Sequence, residues 1–427
     1  MVKIEKIYQN ITPFGGISLV HDLFKRSGLR QLIDKELCNR VSTCGYTYGN
    51  LIGNWFNLFL CGGDCAEDIE THLHDTLSSI PGNNVSKADT MLRCLKELSV
   101  ENTSVTTASS DNIYQFNINE HVNSLLIKSL LQMGQLEKDK FYDFDYDNQI
   151  IVHKKHDAKR TYKKKSGYFP GVASIGDKIV YIENRDGNAN VKTDQAKTLA
   201  RAYKSLNDNK IFINRSRMDA GSYCKDVIEV VASNSKLFYI RANRCESLTE
   251  RIIQIEDWKT VEINHKIYQV ASLKFTRFFE DKNYRLVVQR EKSDDPQLDL
   301  FTGEKFIYRC ILTNDHESSE KEVIEYYNQR GTSEKNFDVM NNDFGWKQLP
   351  CSDMKYNTVY LIITAMLKSF YQHVVQNISQ FFKDISPTTR LKRFIFRFIC
   401  VAGRWVYQNR QWKLRLYTLR PYERVAA

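Results

Sequence analysis

The chain has 427 residues, 42% of them hydrophobic, and a formal net charge of +10. Its length predicts two to four structural units, and its excess of positive charge favours a polyanionic partner such as nucleic acid. Because no apolar run approaches the roughly 20 residues of a membrane span and the first ten residues contain no signal core, we expect a soluble cytoplasmic protein, associated with the nucleoid and without a membrane partner.

The first 135 residues are predicted to form a mostly helical region. Apolar side chains recur at helical spacing between Leu19 and Leu37. The polar stretch 103–112 is predicted to be a connection without regular structure, because it interrupts this apolar pattern.

From residue 140 onward, strands and helices alternate. The predicted order is three strands, a helix, a strand, a helix and a strand, at 141–152, 168–175, 178–183, 193–206, 210–214, 222–232 and 236–241. This βββαβαβ order is that of the ribonuclease-H-like fold, a mixed sheet flanked by helices. We therefore predict that residues 136–245 form the first part of such a domain.

A β-rich insertion is predicted to interrupt this domain at 246–315. Its alternating segments are 261–267, 268–275, 284–289 and 306–312. One long helix is predicted at 317–344, so the domain ends with helices in 316–375, and a basic, aromatic region follows at 376–427. The predicted fold class is α/β, with a ribonuclease-H-like catalytic domain, a β-rich insertion and helical N-terminal and C-terminal regions.

Three acidic residues are placed where a ribonuclease-H-like sheet could bring them together. Asp145 lies in the first strand, Asp219 follows the fourth strand, and Glu334 lies in the long helix. Asp143 and Asp147 share the strand face of Asp145, so the choice among these three remains open. Glu334 is predicted on a buried helix face, where it could bind metal or pair with Arg330 four residues earlier.

Three carboxylates suit the chemistry of DNA cleavage, an in-line displacement at phosphorus. Two Mg²⁺ ions about 4 Å apart can activate the attacking oxygen and stabilise the leaving oxygen. Mg²⁺ binds through a few carboxylates together with waters and phosphate oxygens. We therefore predict a site for Mg²⁺ or Mn²⁺, with two ions, at Asp145, Asp219 and Glu334.

These motifs resemble those of bacterial insertion-sequence DDE transposases, in the cut-and-paste branch with a β-strand insertion before the catalytic glutamate. The resemblance rests on the three acids, on Tyr327-x-x-Arg330-x-x-x-Glu334, and on the segments 160–162, 167–170 and 185–188. Among the acids of the first strand, the match to the family's motif favours Asp145. Asn341 departs from the pattern, because the family has a lysine there. The resemblance implies metal-dependent strand cleavage and strand transfer at element ends, with double-stranded DNA as partner and a homodimer in the synaptic complex.

The resemblance also suggests which residues contact DNA. Tyr327 and Arg330 belong to its signature, and the basic tract 153–165 adds Lys159, Arg160, Lys163 and Lys164. This tract either binds phosphates near the cut or is a solvated loop. Trp258 either holds a flipped base or packs in the core. The N-terminal region either recognises element ends or only packs.

The C-terminal tail offers two interpretations of its charge. Residues 388–427 hold ten Lys or Arg and one acid, interleaved with aromatic residues. This composition suits nucleic acid, but it also suits an amphipathic helix whose arginines cover apolar surface. Two other functions remain open for the whole chain: a structure-specific nuclease of the same fold, or a non-catalytic DNA-binding protein descended from a transposase.

Overall fold

A computed structural model describes residues 2–5, 10–38, 40, 45–107, 110–243, 246–279, 281–292 and 306–426. Within these residues, no helix has the length and apolar character to cross a membrane. The described residues of the N-terminal region form seven helices and two strands: α1 (Ile17–Arg26), α2 (Leu29–Leu37), α3 (Tyr48–Leu60), α4 (Asp68–Thr71), α5 (His74–Ser78), α6 (Ala88–Glu97), β1 (Thr103–Thr107), β2 (Ser110–Asn117) and α7 (Glu120–Gln132).

The predicted alternation of strands and helices after residue 140 is confirmed. The elements are β3 (Lys140–Asn148), β4 (Ile151–Val152), β5 (Lys159–Arg160), β6 (Ser166–Tyr168), β7 (Gly171–Ile175), β8 (Lys178–Arg185), α8 (Gln195–Asp208), β9 (Ile211–Met218), α9 (Lys225–Asn234) and β10 (Ser235–Ala242). Strand β9 pairs in parallel with both β3 and β10. Strands β3, β7 and β8 form an antiparallel series, as the ribonuclease-H-like prediction requires.

The segment between β10 and the next long helices continues the same sheet. It contains α10 (Glu246–Ile253), β11 (Lys259–Ile263), β12 (Lys266–Phe275), β13 (Tyr284–Lys292) and β14 (Phe306–Thr313). Strand β14 pairs antiparallel with β10, and the eleven-stranded sheet has the order β1-β2-β8-β7-β3-β9-β10-β14-β13-β12-β11. The predicted insertion strands therefore extend the central sheet on the side of β10.

The stretch 103–112, which was predicted to be a connection, contributes to strands instead. Strands β1 and β2 form a hairpin, and β2 pairs with β8 through Phe116 and Asn117. Val105 and the threonines of β1 are β-branched and favour extended backbone. The other side chains of this strand are polar, which suits a sheet edge that faces water. Because an edge strand of this kind contains few apolar residues, apolar periodicity does not detect it.

The single helix predicted at 317–344 is wrong, because the structure divides it. Helix α11 (Glu320–Asn328) is followed by a 3₁₀ turn at Gln329–Gly331 and then by α12 (Thr332–Asp343). Ser319 and Glu322 form a capping box that starts α11. Gly331 lies at the break and has low helix propensity.

The C-terminal region is only partly helical, so that part of the fold prediction is corrected. It contains α13 (Met354–Ser379), α14 (Leu391–Phe394), a π-helical turn at Ile395–Ile399, β15 (Gly403–Gln408), β16 (Gln411–Leu416) and α15 (Glu423–Ala426). Asn409 and Arg410 connect β15 to β16 with φ of 53° and 60°. Two consecutive left-handed residues are typical of a type I′ hairpin turn, which suits the alternating strands on either side.

Helix α13 lies at the centre of the larger hydrophobic core. Its residues from Asn357 to Tyr371 are all buried, and it packs against α3, α6, α7 and β8. Trp346 is fully buried beside it and donates a hydrogen bond from Nε1 to Oγ1 of Thr364, at 3.0 Å. This core joins the N-terminal helices to the sheet and fixes the sheet beneath the candidate site.

Candidate active site

Strands β3 and β9 carry complementary charges in register. The parallel register pairs two acids of β3 with two arginines of β9: Asp143 with Arg215, and Asp145 with Arg217. Both pairs are ion pairs, with N–O distances of 2.6 Å and 2.7 Å. Two residues further along each strand, Asp147 and Asp219 occupy the next positions. We call these two ion pairs between β3 and β9 the charge ladder. Asp147 and Asp219 lie at the position that follows its last pair.

Asp145 belongs to the buried part of this ladder. Its side chain is 1% exposed, and both carboxylate oxygens accept hydrogen bonds from Arg217, at 2.7 and 2.8 Å. Burial raises the pKa of Asp145, against the lowering effect of Arg217. Arg217 also donates to the main-chain oxygen of Tyr326, at 2.9 Å. This arrangement ties β3 and β9 to the end of α11.

Asp147 and Asp219 lie at the open end of the ladder and share a counter-ion. Arg330 forms an ion pair with Asp147, at 2.8 Å between Nη1 and Oδ2. The pKa of Asp219 is raised first by burial and then by the charge of Asp147, whereas Arg330 lowers it. Asp219 accepts a hydrogen bond from the backbone N–H of Gly221, at 3.0 Å. These carboxylates are therefore electrostatically coupled neighbours.

Glu334 lies in the first turn of α12, four residues after Arg330. Its side chain is exposed, so the prediction of a buried position is wrong. The alternative ion pair with Arg330 is not formed among the described residues, because Arg330 contacts Asp147. The break at Gly331 accounts for both results, since a continuous helix would have kept the two side chains on one face. Glu334 presents a carboxylate without a protein partner in the described part of the chain.

Helix α12 is held beside β7 by a buried polar contact. Asn336 donates to the main-chain oxygen of Gly176, at 3.1 Å. The buried ammonium of Lys368 in α13 donates to Oδ1 of Asn336, at 3.1 Å, and to the main-chain oxygen of Asp177. Because β7 pairs with β3, this contact fixes the helix of Glu334 relative to the strand of Asp147.

Lys368 is expected to make the free energy of unfolding depend on pH. Burial lowers its pKa from 10.5 to about 8, so between these pH values the unfolded chain binds more protons than the folded chain. The free energy of unfolding should therefore rise with pH across that window, by up to ~3 kcal/mol. Denaturant unfolding of wild type and Lys368→Met measures the difference. An equal rise in the variant would show that Lys368 does not cause it.

The predicted DNA contacts differ in accessibility. Lys159, Arg160, Lys163 and Lys164 are all exposed, on or beside the small sheet β4-β6-β5. Tyr327 is buried and donates a hydrogen bond to the main-chain oxygen of Met218, at 3.2 Å, which places it next to Asp219. Burial raises the pKa of Tyr327 to about 12. Tyr327 therefore supports the end of β9.

Trp258 is half-buried against the second hydrophobic core. Its Nε1 donates to the main-chain oxygen of Ile255, at 2.9 Å. The guanidinium of Arg290 covers the ring at 3.9 Å from its centroid. A base could stack on the face of the indole that Arg290 covers only if Arg290 moved.

The sequence analysis did not predict how β3 aligns with β9. Asp143, Asp145 and Asp147 alternate along β3, and Arg215, Arg217 and Asp219 alternate along and just after β9. Aligning these two patterns pairs acid with base twice and acid with acid once, at Asp147 and Asp219. Among the described residues, a tight group of three potential ligand atoms, within 4.8 Å, occurs elsewhere, at Asp64, Cys65 and Asp68.

The comparison with protein families identifies the chain. The model of the family described as "Transposase DDE domain group 1" matches residues 2–427. The chain belongs to this family. No curated protein matches it. Among solved structures, it is similar to a chain of the cryo-EM structure of the piggyBac transposase synaptic complex with hairpin DNA, at 13% identity and a TM-score of 0.42, covering 92% of this chain and 80% of that one.

Family membership confirms the predicted DNA transposase function. Members of this class are in general phosphoryl-transfer enzymes that use divalent metal ions. The resemblance to DDE transposases was therefore a sound guide to family. The residues that carry out the reaction are a separate question, which depends on the geometry at the ends of β3 and β9.

Proposed function

We propose that this DDE transposase cleaves DNA at the ends of its element and transfers the freed strand, with Asp147, Asp219 and Glu334 as its acidic triad. The observation that carries this choice is the charge ladder, which leaves Asp147 and Asp219 as neighbouring acids where the arginines stop. Asp145, which the sequence motif favoured, has both oxygens engaged by Arg217. It is therefore poorly suited to bind a metal ion.

The donor set fits a hard divalent cation. All three residues offer carboxylate oxygens, the ligands that Mg²⁺ prefers, and Mn²⁺ accepts the same donors. Two ions held by Asp147, Asp219 and Glu334 would activate the attacking water or 3′-hydroxyl and stabilise the leaving oxygen. Burial is the first cause of the raised pKa of Asp219, and the charge of Asp147 is the second. The negative potential of the neighbouring carboxylate would also favour a cation.

The surrounding residues would position the DNA. Arg330 holds Asp147 in one orientation through its ion pair and has further N–H groups that could donate to a phosphate. The exposed side chains of Lys159, Arg160, Lys163 and Lys164 would contact phosphates near the cut. Two element ends must be processed together, so we propose that a homodimer acts in the synaptic complex.

Removal of the metal tests this function. Purified protein should nick a duplex that carries the element's terminal sequence in Mg²⁺ or Mn²⁺, and excess EDTA should stop the reaction while DNA binding persists. Binding persists because it depends on Lys and Arg. Cutting of branched or nicked DNA regardless of terminal sequence would favour a structure-specific nuclease. Binding without metal-dependent cleavage would favour a non-catalytic DNA-binding protein.

A further inference from the structure

The C-terminal hairpin of β15 and β16 has two chemically different faces. Its register places Trp405 opposite Leu414 and Tyr407 opposite Trp412. The alternate positions form a second face, on which the cross-strand pairs are Arg404 with Arg415, Val406 with Lys413, and Gln408 with Gln411. One face is therefore apolar and aromatic, and the other is basic.

The base of this hairpin is anchored and its tip is exposed. Gly403 exchanges two backbone hydrogen bonds with Thr12, at 2.8 and 3.0 Å. Leu416 lies close to Gly15 at the same end of the hairpin. At the other end, Tyr407 is 63% and Trp412 is 54% exposed, and their ring centroids are 5.2 Å apart. The hairpin is therefore a fixed two-stranded ribbon with a solvent-facing end.

The tail's ten basic residues divide into three groups, one of which, Lys392, Arg393 and Arg424, lies outside the hairpin and forms no ion pair among the described residues. Three others form ion pairs with acids outside the hairpin: Arg390 with Asp338 and Asp343, and Arg397 and Arg420 with Asp384. In the hairpin, no acid in the described part of the chain pairs with any of Arg404, Arg410, Lys413 and Arg415. Arg415 donates only to Gln408, at 3.3 Å. Of the seven basic residues of the tail that form no ion pair in the described part of the chain, four therefore lie on the ribbon.

This concentration of charge is unfavourable for the isolated protein. Arg404 and Arg415 are directly opposite each other, and like charges at such positions destabilise a hairpin. Binding a polyanion would remove the repulsion and release counterions from its phosphates. A two-stranded ribbon also has dimensions that fit the major groove of B-form DNA. The charge pattern and the shape thus favour the same partner.

We propose that residues 403–416 form a DNA-binding ribbon that contacts the phosphates of duplex DNA with its basic face. This assignment rests on the proposed function only in taking DNA as the substrate. It revises the broader hypothesis that the whole tail contacts DNA, because Arg390, Arg397 and Arg420 instead fasten the tail to the rest of the protein. The contacts would be independent of sequence, since phosphates carry no base identity.

A matched pair of triple variants tests the assignment. Arg410→Gln, Lys413→Gln and Arg415→Gln together should weaken binding to terminal and random duplexes equally. The slope of log affinity against log salt should become shallower by about three units, roughly one for each lost phosphate contact. Arg390→Gln, Arg397→Gln and Arg420→Gln remove the same formal charge, but they should lower the melting temperature and leave the slope unchanged.

Several results would overturn the ribbon assignment. One is a ribbon variant with an intact fold and the wild-type slope. Another is an equal loss of slope in both triple variants, which would indicate a net-charge effect. Binding to anionic vesicles that depends on the ribbon, with no effect on DNA, would assign the face to a membrane surface. Failure of the proposed function is recognised separately, as ribbon-dependent DNA binding without metal-dependent cleavage.

Discussion

Asp147→Asn, Asp219→Asn and Glu334→Gln are each expected to reduce cleavage of element-end DNA by more than about 100-fold. Loss of a residue that only supports a metal ligand typically costs 10- to 100-fold, so loss of a direct carboxylate ligand should cost more. DNA binding should remain close to wild type, because it depends on basic residues. Single-turnover cleavage in Mg²⁺, together with a binding assay in EDTA, separates the two quantities.

Asp143→Asn provides the matched control for these substitutions. Asp143 lies on the same strand and face as Asp147, but it forms its ion pair with Arg215, further from Asp219 along the ladder. We expect cleavage by this variant to stay within a few-fold of wild type. The triad assignment would be wrong if a pure Glu334→Gln preparation still cleaved, or if Asp143→Asn were as inactive as Asp147→Asn.

The parts of the fold that could be predicted from the sequence are those with strong apolar periodicity. The apolar strands of the central sheet and the amphipathic helices α8 and α9 have strong periodicity, so their order follows from the sequence. The hairpins β1–β2 and β15–β16 were missed because their strands are largely polar or basic and lie at edges or on the surface. Their stability depends on cross-strand partners, which a local pattern does not contain.

The sequence prediction and the proposed triad differ in one residue, Asp145 against Asp147. Alternation along β3 places Asp143, Asp145 and Asp147 on one face, but the sequence does not state how β3 aligns with β9. Only that register shows that Asp145 faces Arg217, whereas Asp147 comes next to Asp219. The helix of Glu334 was similarly identified without its break, because a single glycine inside a helical pattern is a weak local signal.

Asp145 should prove to be a structural residue, with an effect on stability that exceeds that of its neighbours. Asp145→Asn leaves the buried Arg217, whose side chain is 7% exposed, without its counter-charge. Breaking a buried ion pair in this way costs about 3–5 kcal/mol. Asp147→Asn should lower the free energy of unfolding much less, because the carboxylate that this substitution removes is repelled by Asp219. Chemical denaturation of the two purified variants under one set of conditions compares these free energies directly.

A double substitution separates this structural role from catalysis. Replacing Asp145 with Leu and Arg217 with Met together removes both buried charges, and apolar replacements of similar volume should recover most of the lost stability. The pair also positions α11, because Arg217 donates to the main-chain oxygen of Tyr326. We therefore expect the double variant to be folded and to cleave more slowly than wild type, but with the wild-type requirement for Mg²⁺ concentration. A stable Asp145→Asn protein that binds DNA and has lost all cleavage would instead return Asp145 to the acidic triad, in place of Asp147.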